Sequence, residues 1–171
     1  MSRDFSAKRD FSALVPVSYV IFRRRGSVLL QLREGTGYLD GHWATAAAGH
    51  VEPGESVQAA ARREAAEELG VVIAAEELVP LTVMHRAARP GEAAGGRVDF
   101  FFSCESWTGS PRIMEPSKAA GLAWFCLADL PEAVVPHERY VLERLAAGLP
   151  AFLGYGLESY GFESGAAGEH G

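Results

Sequence analysis

Hydrophobic positions along the chain fall into short segments separated by turn-forming residues. Runs of four to eleven residues that are rich in β-branched and aromatic side chains predict β-strands. A shorter extended stretch, 43–48, leads into a polar and alanine-rich segment. The predicted strands cover 15–22, 28–32, 78–86, 97–107 and 123–126.

Two segments have the features of helices. Ser56 is a good N-cap before an alanine-rich run, and Gly70 is typical of a helix end, so this helix has about four turns. In the second segment, 136–147, Val141, Leu142 and Leu145 lie on one side at helical spacing. Strands and helices in this order predict an α/β fold with a mixed sheet between helices.

The chain has 171 residues, 48% of them hydrophobic, which fits a single domain with a sizeable core. We assign the domain to 13–153, with a loose lead-in at 1–12 and a flexible tail at 154–171. The last ten residues are rich in Gly and Glu and are expected to be disordered. Glycine-rich or Pro/Gly/Ala-rich loops are expected at 35–41 and 87–96.

The net charge of −6 argues against a nucleic acid polymer or an anionic membrane surface as partner. It allows a small nucleotide, because metal ions bridge acidic protein and phosphate. Cys104 and Cys126 form no metal-binding pattern and are interpreted as reduced cysteines. We find no signal peptide and no apolar run long enough to span a membrane, so we expect a cytoplasmic protein. We expect it to be a monomer or a homodimer.

The first helix carries an unusual set of charges. Glu64, Glu67 and Glu68 stand at i, i+3 and i+4 and therefore share one face. Like charges at these spacings cost about 0.2–0.5 kcal/mol per pair, and they crowd the negative end of the helix dipole. The non-functional interpretation is an acidic helix face exposed to solvent. A site for Mg²⁺, which prefers carboxylate oxygens together with substrate phosphates, is the functional one.

The surrounding residues resemble the Nudix box, the signature of enzymes that hydrolyse nucleoside diphosphates linked to another group. All of its characteristic positions are present: Gly49, Glu55, Arg63, Glu64, Glu67, Glu68 and Gly70. The resemblance implies an α/β/α sandwich and a hydrolase dependent on Mg²⁺, with Mn²⁺ as a possible substitute. It implies that Glu64, Glu67, Glu68 and a backbone carbonyl near Gly49 bind the metal, while Arg63 orients a carboxylate.

The resemblance extends beyond the box, over roughly 14–153. Trp107, Gly109, Pro111 and Glu115 are similar to a Trp-x-Gly-x-Pro…Glu pattern in MutT-type members that cleave nucleoside triphosphates. In those relatives the Glu supplies a further carboxylate to the metal site, which makes Glu115 a candidate ligand and catalytic residue. Either a box glutamate or Glu115 serves as general base under this hypothesis.

Recognition of the nucleotide is assigned to residues outside the box. Tyr38, His85, Arg86 and His137 are the candidates for substrate binding, whereas Phe22, Phe101 and Trp107 are interpreted mainly as core. The favoured substrate is a nucleoside triphosphate, including damaged ones, cleaved to the monophosphate and pyrophosphate.

Several alternatives stay open. ADP-ribose or a nucleotide sugar is the alternative substrate, although no flanking motif for ADP-ribose or coenzyme A is recognised. A catalytically silent regulator would need a DNA-binding module, for which the chain leaves no room. An isoprenoid diphosphate isomerase would need a catalytic cysteine in a loop, whereas Cys104 and Cys126 lie in predicted strands. For a non-enzymatic interaction domain the sequence gives no positive indication.

Overall fold

The computed structural model describes residues 13–88 and 96–157. Helix α1 spans Val57–Leu69, α2 spans Pro136–Leu142, and a 3₁₀ turn covers Ala75–Glu77. The strands are β1 (Val15–Arg24), β2 (Ser27–Arg33), β3 (Trp43–Thr45), β4 (Ala47–His50), β5 (Val79–Ala87), β6 (Gly96–Cys104), β7 (Ala119–Cys126) and β8 (Phe152–Tyr155).

Strand β1 is the centre of a mixed sheet. It runs parallel to β6 from Val15↔Arg97 to Phe22↔Cys104, and antiparallel to β4 on its other edge. Its far end forms a hairpin with β2 through Arg25 and Gly26, both at positive φ. The order along the main path is β3-β2-β1-β6-β5-β8, with β4 on β1 and β7 on β2.

The two helices cover opposite faces of this sheet. On one side, small and apolar residues of α1 pack with Val20 and Phe22. On the other side, Val141 and Leu142 of α2 pack with Tyr19 and Ile21. Successive residues of β1 thus face different helices, as strand geometry requires. The expected α/β/α sandwich with a mixed central sheet is confirmed.

Helix α1 begins and ends where the caps predict. The Ser56 side chain accepts a hydrogen bond from the Ala59 backbone N–H at 3.1 Å, and Gly70 adopts a left-handed conformation with φ 67°. The buried side of the helix consists largely of alanines, which bring its backbone close to the sheet. This close packing determines the geometry of the acidic face.

The structure differs from the prediction at several strand and helix ends. Strand β7 begins at Ala119, four residues before the predicted start, because its first half pairs with β2 across a register shift. Strand β6 ends at Cys104, so Trp107 lies beyond it. Helix α2 ends at Leu142 rather than residue 147, because the following residues form tighter turns: the Arg144 and Leu145 N–H groups donate to the carbonyls three residues earlier.

Strand β8 was not predicted, because Phe152–Tyr155 is short and contains a glycine. It pairs in parallel with β5, so the sheet extends past the predicted boundary at residue 153. The proposed lead-in at 1–12, most of the loop at 87–96 and the last ten residues lie outside the described residues. Within the described part, no helix is long and apolar enough to cross a membrane.

Candidate active site

The acidic face of α1 forms one wall of a cavity of ≈ 640 Å³. Glu64, Glu67 and Glu68 line it, as the helical spacing predicted. Gly49 from β4 and Glu115 from the loop before β7 line the same cavity. The structure therefore brings together all of the predicted metal-site residues, although they come from three separate parts of the chain.

Gly49 of β4 lies directly against the Glu64 carboxylate of α1. A Cβ built at Gly49 would lie 1.9 Å from Glu64 Oε1, so only glycine fits while Glu64 keeps its position. One residue earlier, the Ala48 backbone N–H donates a hydrogen bond to Glu68 Oε2 at 2.9 Å. Backbone atoms of β4 thus determine where two of the carboxylates lie.

Arg63 holds the acidic face together through its guanidinium group. Its Nη1 donates to Glu64 Oε1 at 2.7 Å and to Glu67 Oε2 at 3.1 Å. Its Nη2 donates to Glu55 Oε1 at 2.8 Å and to the His50 carbonyl at 3.0 Å. A rigid fork with several donors suits this task, because one residue can orient several carboxylates at once.

Glu115 reaches the cavity because its loop is bonded to the end of α1. The Arg112 N–H donates to the Leu69 carbonyl at 3.1 Å, and the Met114 N–H donates to the Glu68 carbonyl at 3.0 Å. These carbonyls lack partners within the helix, so the loop satisfies groups that would otherwise need water. The next residue in the chain is then placed beside the box glutamates.

Burial and like charge disfavour ionisation of Glu64 and Glu68. Burial raises the pKa of Glu68 to about 8; the neighbouring Glu64 and Glu115 add to this, while the hydrogen bond from Ala48 opposes it. Burial likewise raises the pKa of Glu64, against the effect of Arg63. Carboxylates in such surroundings are stabilised strongly by a nearby cation.

The donor set fits a hard divalent cation, because it consists of carboxylates with backbone carbonyls close by. The side chains do not converge on one point as they stand: across the described ranges, no three acidic, histidine or cysteine residues are arranged to hold a metal ion. Glu64 is engaged by Arg63 and Glu68 by Ala48. Binding would therefore require these side chains to reorient within the cavity.

A group of buried polar side chains adjoins the cavity. Arg86 Nε lies 2.6 Å from Asp99 Oδ2, and their side chains are 8% and 0% exposed. Tyr19 Oη lies 3.2 Å from His137 Nε2, and both side chains are buried. Arg86 was predicted to bind substrate; the structure places it on the cavity wall, where its Nε and Nη2 donate hydrogen bonds to Asp99.

The other predicted substrate residues divide between the cavity and the outside. Tyr38 and His137 line the cavity. His85 does not: it is exposed, and strand alternation directs it to the face opposite Arg86. Phe22 and Phe101 are buried core residues, and Phe101 stacks on Tyr19 with ring centroids 4.6 Å apart.

Some residues in and around the cavity were not identified from the sequence. Lys118 and Glu138 line the cavity but were not among the candidates, and neither was Asp99, which pairs with Arg86. Burial raises the pKa of Glu138 to about 7, against the effect of Thr45, whose backbone N–H donates to it. Asp99 was detectable in principle, because an acidic residue directly precedes the three phenylalanines of a predicted strand. Lys118 gave no such signal.

Comparisons with known proteins identify the family and the fold of this chain. The NUDIX domain model matches residues 14–145. The crystal structure of a MutT NUDIX hydrolase from Burkholderia pseudomallei is 27% identical, with 77% of this chain and 97% of that chain covered and a TM-score of 0.69. No curated protein matches the sequence significantly.

Two more distant solved structures share the fold. The solution structure of the E. coli ORF135 protein is 22% identical, covering 79% of this chain and 90% of that chain, with a TM-score of 0.63. The MutT protein from Bacillus halodurans is 20% identical, covering 83% of this chain and 87% of that chain, with a TM-score of 0.63. Because the family model spans most of the sequence, the chain belongs to the NUDIX domain family and is a MutT-like Nudix hydrolase acting on pyrophosphate bonds.

Proposed function

We propose that this hydrolase converts a nucleoside triphosphate to the monophosphate and pyrophosphate, with Mg²⁺ as the metal and Mn²⁺ as a substitute. The observation that supports the proposal most directly is the position of Glu115. Hydrogen bonds to the end of α1 place it on the same cavity wall as Glu64, Glu67 and Glu68. It belongs to the segment that resembles triphosphate-cleaving relatives.

In this proposal the metal is held by carboxylates from both segments. Glu64, Glu67, Glu68 and Glu115 supply oxygen ligands, together with a backbone carbonyl near Gly49. When bound, the ion neutralises phosphate charge, orients the reacting groups and acidifies a water molecule. The rest of the chemistry falls to the side chains of the cavity.

Arg63 acts as a positioning residue rather than a ligand of the phosphates. It contacts Glu64, Glu67 and Glu55 at once, so it restricts the rotamers that the box glutamates can adopt. The proton of the attacking water is taken by a cavity carboxylate. The candidates are the box glutamates and Glu115, which the Glu115→Gln variant described below distinguishes.

The nucleoside is assigned to the part of the cavity lined by Tyr38, His137 and Glu138. Tyr38 offers an aromatic ring, and His137 and Glu138 offer polar groups. The pKa of about 7 lets Glu138 donate a hydrogen bond when protonated and accept one when ionised. Buried polar groups of this kind discriminate strongly between bases, because a mismatch leaves them unpaired.

A second candidate substrate is ADP-ribose or a nucleotide sugar. The observation in its favour is an adjoining cavity of ≈ 310 Å³ that shares Tyr38, Arg86 and His137 with the larger one. Pro136 and Tyr155 give this second cavity an apolar lining. A substrate with another group beyond its nucleoside would have room there.

The deciding experiment is a substrate panel with identification of products. The protein is incubated with Mg²⁺ and with nucleoside triphosphates, oxidised triphosphates, ADP-ribose, nucleotide sugars and dinucleoside polyphosphates. We expect monophosphate and pyrophosphate from at least one triphosphate, and none from the Glu68→Gln variant, which controls for contaminating phosphatases. A kcat/KM tenfold higher for ADP-ribose or a nucleotide sugar than for every triphosphate would favour the second candidate. No turnover of any compound would favour a silent regulator.

A further inference from the structure

Lys118 places a positive charge at the acidic wall of the cavity. Its Nζ lies 2.9 Å from Glu115 Oε1 and 3.0 Å from Oε2. It also interacts electrostatically with Glu64 and Glu68, and it lines the cavity. The side chain is 58% exposed, so the ammonium group has space to move.

The backbone that carries Lys118 is fixed from two directions. The Lys118 N–H donates to the Glu115 carbonyl at 2.9 Å, and the Lys118 carbonyl accepts from the Glu34 N–H at 3.0 Å. Next to Glu34, Gly35 has φ 66° and lies so close to this turn that a Cβ would be 2.6 Å from the Ser117 carbonyl oxygen. The flexible lysine side chain therefore extends from a well-anchored turn.

Among the described lining residues, each of the three arginines also has hydrogen-bond partners in the protein. Arg86 pairs with Asp99, and Arg33 donates to the Tyr38 carbonyl and the Thr36 hydroxyl. Arg97 has its Nη1 2.9 Å from His50 Nε2. Among the described lining residues, Lys118 alone is a lysine, with a compact charge on a rotatable stem.

We propose that Lys118 binds the substrate's diphosphate group, and that its ion pair with Glu115 is the resting arrangement. The inference rests on the proposed function, in which a cation binds the same carboxylates. A cation on Glu115 repels the ammonium group, while the incoming phosphate oxygens attract it. The ammonium then needs only side-chain rotations to exchange one oxyanion partner for another.

The test measures binding without turnover. Methylenediphosphonate, a non-hydrolysable diphosphate, is titrated into the protein in the presence of Mn²⁺. We expect Lys118→Met to weaken its affinity at least about tenfold, which corresponds to about 1.4 kcal/mol. Lys118→Arg, which keeps the charge, should restore most of it. The Kd of Mn²⁺ alone, read by electron paramagnetic resonance, should fall in Lys118→Met because a repulsive charge is lost.

Arg112→Met is the matched control, because Arg112 is an exposed cation on the same segment that does not line the cavity. It should leave the diphosphonate affinity within about twofold of the parent, as surface changes generally do. If Arg112→Met weakened the diphosphonate affinity as much as Lys118→Met does, the loss would reflect the net charge of the protein and would overturn the proposal. Unchanged diphosphonate affinity in Lys118→Met would also overturn it, even if Mn²⁺ bound more tightly.

These outcomes separate the inference from the proposed function. If the parent hydrolyses triphosphates but Lys118→Met binds the diphosphonate normally, the role of Lys118 is refuted and the activity stands. If no triphosphate is hydrolysed but the diphosphonate depends on Lys118, the substrate proposal fails and the phosphate contact stands.

Discussion

Replacing Glu68 by glutamine removes a buried charge while preserving the shape of the side chain. The amide oxygen can still accept the hydrogen bond that the Ala48 N–H donates at 2.9 Å. The amide also ends the repulsion with Glu64 and Glu115. In the metal-free protein we therefore expect Glu68→Gln to be more stable than the parent, although its activity falls by orders of magnitude.

The magnitude follows from the pKa of Glu68, which is 4.5 in the reference state and about 8 in the fold. At about 1.36 kcal/mol per pH unit, ionising Glu68 in the fold costs at most about 5 kcal/mol. Local rearrangement and water reduce this cost, and we expect a measured gain of about 1–2 kcal/mol from the substitution. That corresponds to a rise in Tm of about 2–8 °C for a chain of this size.

The raised pKa of Glu68 also determines how the stability gain from the substitution changes with pH. The folded protein holds the Glu68 proton more tightly than the unfolded chain, so stability is lost as pH rises from 4.5 through about 8. The gain from Glu68→Gln, measured by thermal unfolding in EDTA, should be largest near pH 8.5 and small below the unfolded pKa. Glu76→Gln, on the exposed 3₁₀ turn, is the control and should change little. A variant less stable than the parent at pH 8.5, or an equal gain at every pH, would refute the reasoning.

Three further outcomes are expected. Turnover should vanish in EDTA and return with excess Mg²⁺ or Mn²⁺, which a product assay checks; undiminished turnover in chelator would exclude the metal-based mechanism. Glu115→Gln should lower kcat far more than it raises KM, with little change in Tm, because its contribution develops in the transition state; kinetic constants within about twofold of the parent would assign the proton transfer to a box glutamate. Asp99→Asn should lower the free energy of unfolding by about 3–5 kcal/mol in urea titrations, because it leaves Arg86 buried without its charged partner; a loss below about 1 kcal/mol would contradict this.

The fold could be predicted largely because local signals and tertiary structure agree. Ser56 and Gly70 mark the ends of α1 through backbone caps that depend only on neighbouring residues. The aromatic run in β6 alternates between the two helices, as its period requires. Strand β8 escaped prediction because four residues with a glycine carry no such signal, and only pairing with β5 makes them a strand.

The site could be predicted where its geometry is helical. The spacing of Glu64, Glu67 and Glu68 places them on one face in any α-helix. The position of Glu115 beside them depends instead on hydrogen bonds between its loop and the end of α1. The spacing of residues in the sequence does not reveal these bonds. Arg86 was a candidate because it ends an apolar strand. It does line the cavity, but its pairing with Asp99 follows only from the alignment of β5 with β6.

The alanines of α1 link the packing of the fold to the chemistry of the site. Ala60, Ala61 and Ala65 are fully buried, and such small side chains let the helix lie close to the sheet. That closeness lets the backbone of β4 reach Glu68, and it leaves no room for a Cβ at Gly49. It also removes water from Glu68, which raises the cost of its charge and strengthens any interaction with a bound cation. The same packing that destabilises the metal-free site therefore prepares it to bind metal.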